Sequence, residues 1–162
     1  MSQSEFEKIA SILTSAGVPF EVIEHEPVRT SAEAAAVRGQ RLSIGVKALL
    51  VKFSRKGKVF FCIADIPADR RLDWKKMRKV LQASEARFAS EAEVAGQTGC
   101  EPGGVPPLGF ARQLAILADP KIFEQQESEF NAGLKTRSIH LASAGLKKVF
   151  DSIGVAYFDL VE

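Results

Sequence analysis

The sequence predicts an α+β domain built around a mixed β-sheet. Two apolar segments, at residues 46–53 and 58–65, flank turn-forming residues in a pattern typical of a β-hairpin. Segments with the apolar period of helices are interleaved irregularly with the strands, without the regular alternation of a doubly wound parallel sheet. A length of 162 residues is typical of one domain, so we expect a single domain over residues 1–162.

The N-terminal quarter is predicted to fold as helix, strand and helix. Ser4 and Glu7 have the spacing of a capping box, and apolar residues then recur at helical intervals. Residues 20–24 are typical of a short strand. Thr30 and Glu33 form a second capping box at the start of an alanine-rich helix.

The hairpin strands are apolar on both faces, which indicates central strands covered on both sides. Asp65, at the end of the second strand, is more typical of a turn residue. Asp73 and Ser90 are suited to cap two further helices. The remaining predicted elements are strands at 113–118, 127–130, 138–141 and 155–160, and a helix from Ser143.

Composition restricts the classes of function. The net charge of +2 is too small to indicate nucleic acid by itself. Cys62 and Cys100 make neither a disulfide nor a metal-binding pattern, and we expect no metal or organic cofactor. The chain shows no signal-peptide core and no membrane-length apolar run, so we expect a cytoplasmic protein with neither a membrane nor DNA as partner.

Residues 99–109, here called the Gly/Pro loop, hold four of the 12 glycines and three of the seven prolines. Glycine allows unusual backbone angles and proline fixes φ, so the segment has a defined shape that holds free N–H groups in place. Such amides suit a carbonyl oxygen or an oxyanion. The alternative is a tight connector between two elements.

Lys47 is a lone lysine in an apolar strand. Side chains alternate along a strand, so Lys47 shares a face with Leu49, Val51 and Phe53. A lysine in this position either extends its ammonium group to water or lies in a cleft where it binds a carbonyl, a phosphate or a carboxylate.

Four stretches match one family in spacing and order: residues 25–35, 45–50, 87–94 and the Gly/Pro loop with Thr98 before it. In these stretches the sequence resembles the YbaK/ProX-like aminoacyl-tRNA deacylases, freestanding relatives of the editing domain of bacterial prolyl-tRNA synthetases. The resemblance implies a compact α+β fold around a mixed, strongly curved sheet flanked by helices. It also implies an enzyme that hydrolyses the ester between a mischarged amino acid and tRNA.

The resemblance places the family's required lysine on Lys47 and its Gly-x-x-x-Pro loop on residues 103–107. We expect Lys47 to hold the terminal phosphate or the ester carbonyl, and loop amides to stabilise the oxyanion. The loop positions expected to be catalytic are Gly103, Gly104 and Val105. The expected substrate-binding positions are His25, Thr30, Pro106, Pro107, Gly109 and Asn131.

Two departures leave the amino acid open. Many family members that clear cysteinyl-tRNA have threonine where this chain has Ala48, and their late Gly-Gly-Lys-Arg-Gly-like segment differs from residues 131–137 here. Cysteine, alanine, proline or a similar small residue remain alternatives. The resemblance implies a substrate-assisted route, with a hydroxyl of the terminal adenosine or the thiol of a cysteinyl substrate taking the chemical role. We therefore assign neither His25 nor His140 to catalysis.

Two basic clusters are candidates for contact with the tRNA backbone, although such clusters are often solvated faces. They comprise Lys52, Arg55, Lys56 and Lys58 around the hairpin, and Lys75, Arg78 and Lys79 on the following helix. The expected partners are aminoacyl-tRNA and, as a candidate, prolyl-tRNA synthetase. The alternatives are a non-catalytic module that binds tRNA or a synthetase, and a hydrolase of another small acyl ester.

Overall fold

The computed structural model describes residues 2–27, 32, 36, 41–108 and 114–162. The helices with described boundaries are α1 (Ser2–Ser15), α2 (Trp74–Leu81), α3 (Glu91–Thr98) and α4 (Ser143–Ser152), and short 3-10 turns lie at Leu42–Ile44 and Pro120–Glu124. The strands are β1 (Phe20–Glu24), β2 (Val46–Arg55), β3 (Lys58–Pro67), β4 (Glu85–Phe88), β5 (Ala115–Ala118), β6 (Glu127–Leu134), β7 (Arg137–Ala142) and β8 (Ala156–Tyr157). In the described ranges no helix is long and apolar enough to cross a membrane.

The strands form two sheets, which confirms the predicted α+β class but divides the expected single sheet. The larger sheet has the order β4-β2-β3-β5-β8 and is mixed, since β3, β5 and β8 run parallel. The smaller sheet is antiparallel with the order β1-β7-β6. Within the described ranges, one parallel bridge between Gly45 and Glu129 joins the two sheets.

The central hairpin forms as predicted. Lys56 and Gly57 have φ of 51° and 75°, the left-handed conformation at both central positions of a two-residue hairpin turn. Arg55 and Lys58 are paired across it, and β2 and β3 each have neighbours on both sides, as expected of central strands.

Two of the predicted helix caps are present. The Asp73 carboxylate accepts hydrogen bonds from the N–H groups of Lys75 and Lys76. Ser90 and Glu93 form both halves of a capping box at the start of α3. The prediction for Ser4 is wrong: α1 begins at Ser2, so Ser4 lies within the helix because the residues before it are helical too.

Other boundaries also differ from the prediction. The alanine-rich helix is described only at Ala32 and Ala36, which are helical, and its capping box lies outside the described residues. The last strand contains only Ala156–Tyr157, and β4 is an additional strand that the sequence pattern does not indicate. Asp65 lies inside β3, not in a turn, because the strand extends to Pro67.

The two faces of the larger sheet have different coverings. On one face, Val51 and Ala64 pack in a buried cluster with Met77 of α2. On the other face, Leu50 and Ile63 pack with Cys100 and Val105. The Gly/Pro loop therefore lies on the face of the sheet opposite α2.

Candidate active site

The Gly/Pro loop contains a type II turn over residues 101–104. Pro102 is at the second position, Gly103 is at the third with φ of 86°, and the N–H of Gly104 donates to the carbonyl of Glu101 at 2.9 Å. A type II turn favours proline at the second position and needs positive φ at the third. The sequence Glu-Pro-Gly-Gly therefore determines the shape of the turn.

The turn decides which loop amides are available. The Gly104 N–H, one of the predicted oxyanion donors, is already bonded to Glu101. The N–H groups of Gly103 and Val105 make no hydrogen bond to any described residue. Gly103 is exposed and Val105 is buried. The two unbonded N–H groups therefore lie one residue before and one residue after Gly104, whose own N–H closes the turn.

The turn packs against an irregular part of β6. The pairing of β6 with β7 shifts register between Asn131 and Leu134, and Gly133 there has φ of 86°. A Cβ atom added to Gly104 would lie 3.6 Å from the backbone of Gly133, 3.5 Å from that of Leu134 and 3.3 Å from the Glu101 carbonyl. Glycine at 104 therefore lets the loop approach the β6 backbone closely.

A chain of side-chain hydrogen bonds holds the turn. The Asn131 amide Nδ2 donates to the Gly103 carbonyl. The Ser138 hydroxyl donates to Asn131 Oδ1 at 3.2 Å, and His25 Nε2 lies 2.7 Å from Ser138 Oγ. The structure thus brings together the predicted residues His25, Asn131 and Gly103. Ser138 completes this series of hydrogen bonds, and no pattern in the sequence indicated it.

His25 closes this series of hydrogen bonds with both ring nitrogens. Its Nδ1 lies 2.8 Å from the Glu26 carbonyl, which can only accept, so Nδ1 is the donor there. The direction of the hydrogen bond between Nε2 and the Ser138 hydroxyl depends on the imidazole tautomer.

A small cleft lies beside the turn. It has a volume of about 160 Å³, which is below the usual size of a ligand pocket. Lys135 Nζ, in the β6–β7 turn, lies 3.5 Å from Glu101 Oε2 across it. The cleft is lined by Pro27, Glu101, Gly133, Leu134, Lys135 and Thr136. The ion pair connects the Gly/Pro loop to the β6–β7 hairpin, so we assign this cleft a structural role.

Lys47 is the second residue of β2 and lies opposite Ile66 of β3. Its side chain is half-buried. Burial and the positive charge of Arg71 lower the pKa of Lys47, and the Asp69 carboxylate opposes this shift. The ammonium group therefore lies near the residues that follow β3.

Strand alternation separates Lys47 from the loop. Lys47 shares its face with Leu49 and Val51, which lie on the α2 side. Ala48 and Leu50 lie on the side where Val105 packs. Lys47 and the Gly/Pro loop could line one pocket only if the lysine side chain reached around the start of β2. Their joint action on one ester carbonyl therefore stays a prediction.

The other predicted substrate-binding residues fall into two groups. Thr30 and Gly109 lie outside the described residues. Pro106 and Pro107 are buried, as is Leu108, which is part of the core around α1 and α4. The two prolines therefore support the loop from within.

Both cysteines are buried. Burial raises the pKa of the Cys62 thiol to about 12. Burial and the negative charge of Glu5 raise the pKa of the Cys100 thiol to about 11, although Cys100 adjoins the loop. Both remain thiols at neutral pH, so neither has the character of a nucleophile.

A groove of about 560 Å³ brings parts of the two basic clusters together. It is lined by Lys52 of β2 and Arg78 of α2, and also by Arg87 of β4, which the sequence analysis did not select. Lys52 and Arg87 both pair with Glu93, at 2.8 and 3.2 Å. The hydrogen bonds from Lys52 and Ser90 lower the pKa of Glu93 to about 2.

The remaining basic residues differ in availability. The Arg55 guanidinium donates to the Leu81 carbonyl and lies over the rings of Phe53 and Phe60, so it closes the end of α2. Lys56 is exposed in the hairpin turn, and Lys75 and Lys79 are exposed on α2. Among the described residues there is no group of three or more potential metal ligands.

Comparisons with known proteins agree with this fold. The aminoacyl-tRNA editing domain model matches residues 25–149. The multifunctional Ser/Thr-tRNA deacylase ProXp-y of Escherichia coli (strain K12) is 33% identical over 144 residues, covering 88% of this chain and 86% of the relative. A proline–tRNA ligase of Bacillus licheniformis is 32% identical over 152 residues, covering 91% of this chain and 25% of the ligase.

Solved structures show the same fold. The crystal structure of hypothetical protein APE2540 has a TM-score of 0.83 at 25% identity, covering 96% of this chain and 99% of that one. A candidate trans-editing enzyme for prolyl-tRNA synthetase has a TM-score of 0.79 at 24% identity, covering 98% and 97%.

The family model and the deacylase relative define a hydrolase of aminoacyl-tRNA esters that acts in tRNA editing. The chain belongs to the aminoacyl-tRNA editing domain family. The resemblance and the deacylase class expected from the sequence are thereby confirmed.

Proposed function

We propose that this chain removes a small amino acid from mischarged tRNA in the cytoplasm, with Lys47 and the Gly/Pro loop as its catalytic elements. The observation that carries the proposal is the anchored turn: Asn131 bonds the Gly103 carbonyl, while the N–H groups of Gly103 and Val105 are unbonded within the described residues. Amides held in this way are suited to receive the charge that develops on an ester oxygen.

The proposed substrates are seryl and threonyl esters first, then cysteinyl, alanyl and prolyl esters. The similarity to a relative named as a Ser/Thr-tRNA deacylase supports the first pair. The similarity to a segment of proline–tRNA ligases supports tRNA(Pro) as one carrier and the synthetase as a candidate partner.

In the proposed reaction, water attacks the ester carbonyl carbon. A new C–O bond forms as the bond to the terminal ribose oxygen breaks, and that oxygen receives a proton. The vicinal ribose hydroxyl relays the proton, in keeping with the substrate-assisted route that the family resemblance implies. Each loop amide that bonds the oxyanion would lower the barrier by about 3–4 kcal/mol.

Lys47 is proposed to bind the terminal phosphate or the carbonyl and so to position the ester. Replacing Lys47 by alanine should reduce kcat/KM for deacylation by about 100-fold or more, since both charge and positioning are lost. The measurement is single-turnover deacylation of a panel of Ser-, Thr-, Cys-, Ala- and Pro-charged tRNAs, with Ser- and Thr-tRNA first.

Lys147→Ala is the matched control, because Lys147 is an exposed lysine of α4 that belongs to neither basic cluster. Thermal unfolding of both variants verifies the fold. Deacylation by Lys47→Ala at the parental rate would show that the lysine has no catalytic role.

A non-catalytic tRNA-binding module is the second candidate, and the groove with Lys52, Arg78 and Arg87 supports the tRNA binding that this module and the enzyme would share. The same panel separates the two functions. Tight tRNA binding without turnover of any charged tRNA would identify the module, and turnover of one or more would identify the enzyme.

A further inference from the structure

Two cations of the larger sheet lie directly opposite each other at the groove. Lys52 of β2 and Arg87 of the edge strand β4 are partners in the antiparallel register, and both line the groove. Side chains at directly opposed positions are close, with Cβ atoms about 4.5–5.5 Å apart, so two like charges there repel each other. This arrangement favours an anion that contacts both side chains.

Glu93 of α3 provides such an anion within the protein. Its Oε2 lies 2.8 Å from Lys52 Nζ, and its Oε1 lies 3.2 Å from Arg87 Nη1. Oε1 also accepts the N–H of Ser90 at 2.9 Å, which is one half of the capping box of α3. One carboxylate thus serves two cations, and the group of three side chains keeps an excess of positive charge.

The groove has free donors for a further anion. Among the described residues the exposed Arg78 guanidinium makes neither an ion pair nor a hydrogen bond. Arg87 uses Nη1 for Glu93 and for the Phe88 carbonyl, so its Nε and Nη2 have no bond in the described part of the chain. The acid in the lining is Glu85, which is exposed. Three cations and one acid therefore face the groove.

The groove is accessible and its lining fits a phosphodiester. Its volume of about 560 Å³ is within the usual range of ligand sites, about 300–1,000 Å³. The side chains of Lys52 and Arg87 are 28% and 55% exposed, so both can be reached from solvent. Guanidinium groups bind phosphate through two donors at once, and serine hydroxyls such as those of Ser54 and Ser84 also contact phosphate oxygens.

We propose that this groove binds a phosphodiester of the tRNA backbone and that Glu93 is the internal competitor of that phosphate. This inference rests on the proposed deacylase function and adds to it how the affinity for tRNA is set. Phosphate oxygens bind Lys52 and Arg87 in place of the Glu93 carboxylate. Because the deacylated product carries the same phosphates as the substrate, a competitor within the site favours product release.

The test replaces Glu93 by glutamine. Glutamine removes the charge and keeps the capping box, because its side chain can also accept the Ser90 N–H. Binding of uncharged tRNA is measured by fluorescence anisotropy between about 50 and 200 mM salt. Glu93→Gln should lower Kd about threefold or more at the lower salt concentration, and the dependence of log Kd on log salt should steepen by about one counterion.

Glu91→Gln is the matched control, because Glu91 is an exposed acid in the same first turn of α3. It makes the same change of charge without freeing Lys52 or Arg87. The effect of Glu93→Gln should exceed that of Glu91→Gln in the parent, and the two should be equal when Lys52 and Arg87 are both replaced by alanine. Thermal unfolding verifies the fold of each variant.

The outcomes separate this inference from the proposed function. Equal Kd values for Glu93→Gln and Glu91→Gln, in a protein that hydrolyses charged tRNA, would overturn the role of Glu93 and leave the deacylase function intact. If Glu93→Gln does not fold, a Lys52→Ala variant with the parental Kd and salt dependence would overturn that role equally.

Two further results would be decisive. Poly-glutamate that binds Glu93→Gln as tightly as tRNA does would overturn the assignment to tRNA in favour of an acidic protein segment. A parent that hydrolyses no charged tRNA, with the effect of Glu93→Gln on tRNA binding present, would overturn the proposed catalysis and support the binding role of the groove.

Discussion

Asn131 controls the loop through one side-chain amide. It is the single described side chain that bonds the Gly103 carbonyl, and Ser138 fixes its orientation from the other side. Its effect on catalysis would be indirect, because it positions the peptide groups that flank the turn. The residue belongs to β6 and the loop to the segment after α3, so two separate parts of the chain must be aligned.

Asn131→Asp should reduce kcat/KM for deacylation by about 10- to 100-fold, because a carboxylate oxygen would face the Gly103 carbonyl and displace the turn. Single-turnover kinetics measure the effect. Gln126→Glu, in the exposed segment before β6, makes the same change of charge away from the loop and serves as the control. Equal activities of the two variants would contradict a positioning role for Asn131.

His140 forms a second polar group, which is structural. Its Nε2 lies 3.0 Å from Glu127 Oε1, and its Nδ1 bonds the buried Glu129 carboxylate. Burial lowers the pKa of His140, but the hydrogen bonds and charges of Glu127 and Glu129 together raise it above the ordinary value of 6.5. The pairing of the β6–β7 hairpin is therefore linked to the protonation of one imidazole.

A group with a raised pKa in the folded state stabilises the protein below its unfolded-state pKa, and this contribution is lost as pH rises through the folded-state value. The difference in unfolding free energy between the parent and His140→Gln should thus be greatest below about pH 6.5, on the order of 1 kcal/mol, and should decrease at higher pH. Urea denaturation from acid to alkaline pH measures it. A difference that is constant with pH would contradict this linkage.

At the scale of elements, one hairpin turn and two helix caps were predicted correctly, because each depends on a few adjacent residues. The hairpin turn at 56–57 and the caps at Asp73 and Ser90 are local arrangements of this kind. β4 was missed because it is a four-residue edge strand with mostly exposed side chains, so it lacks an apolar pattern. Its pairing with β2 depends on tertiary contact.

Replacing Gly57 or Gly96 by alanine should change the stability of the protein in opposite directions. Gly57 has φ of 75° in the hairpin turn, and Gly96 lies within α3; neither has an atom within 4 Å of an added Cβ. Gly57→Ala should destabilise by about 1 kcal/mol because of its left-handed backbone. Gly96→Ala should stabilise by about 0.5–1 kcal/mol through helix propensity.

Urea denaturation of both variants at one pH measures these changes. Each variant serves as the control for the other, because the same methyl group is added in open space. Changes of the same sign would contradict the conformational explanation.

At the scale of the molecule, the sequence predicted the class of the fold but not how the candidate site is assembled. His25 and Ser138 are 113 residues apart in the chain, so no local pattern indicates their contact. The bonded state of the Gly104 amide likewise depends on the turn that the loop adopts. Strand alternation predicted which residues share a sheet face with Lys47, but it could not predict which face of the sheet the Gly/Pro loop covers.

The groove between β2, β4 and α2 gives a prediction for tRNA binding. Arg78→Ala should raise KM for charged tRNA and reduce its dependence on salt between about 50 and 200 mM, because one phosphate contact is lost. Deacylation across a salt series measures the slope. Lys147→Ala, which removes an exposed lysine of α4, is the control and should match the parent. A KM independent of salt in the parent would argue against phosphate contacts in this groove.

Gly45 joins the two sheets, and its surroundings have no room for a side chain. A Cβ there would lie 2.8 Å from the Ala68 Cβ, while its carbonyl accepts from the Ala68 N–H at 2.7 Å and its backbone bridges Glu129. Lys47 follows Gly45 in the larger sheet, and Asn131 follows Glu129 in the smaller sheet. Steric contact at Gly45 therefore sets how the two sheets are aligned, although Gly45 itself need not contact the substrate.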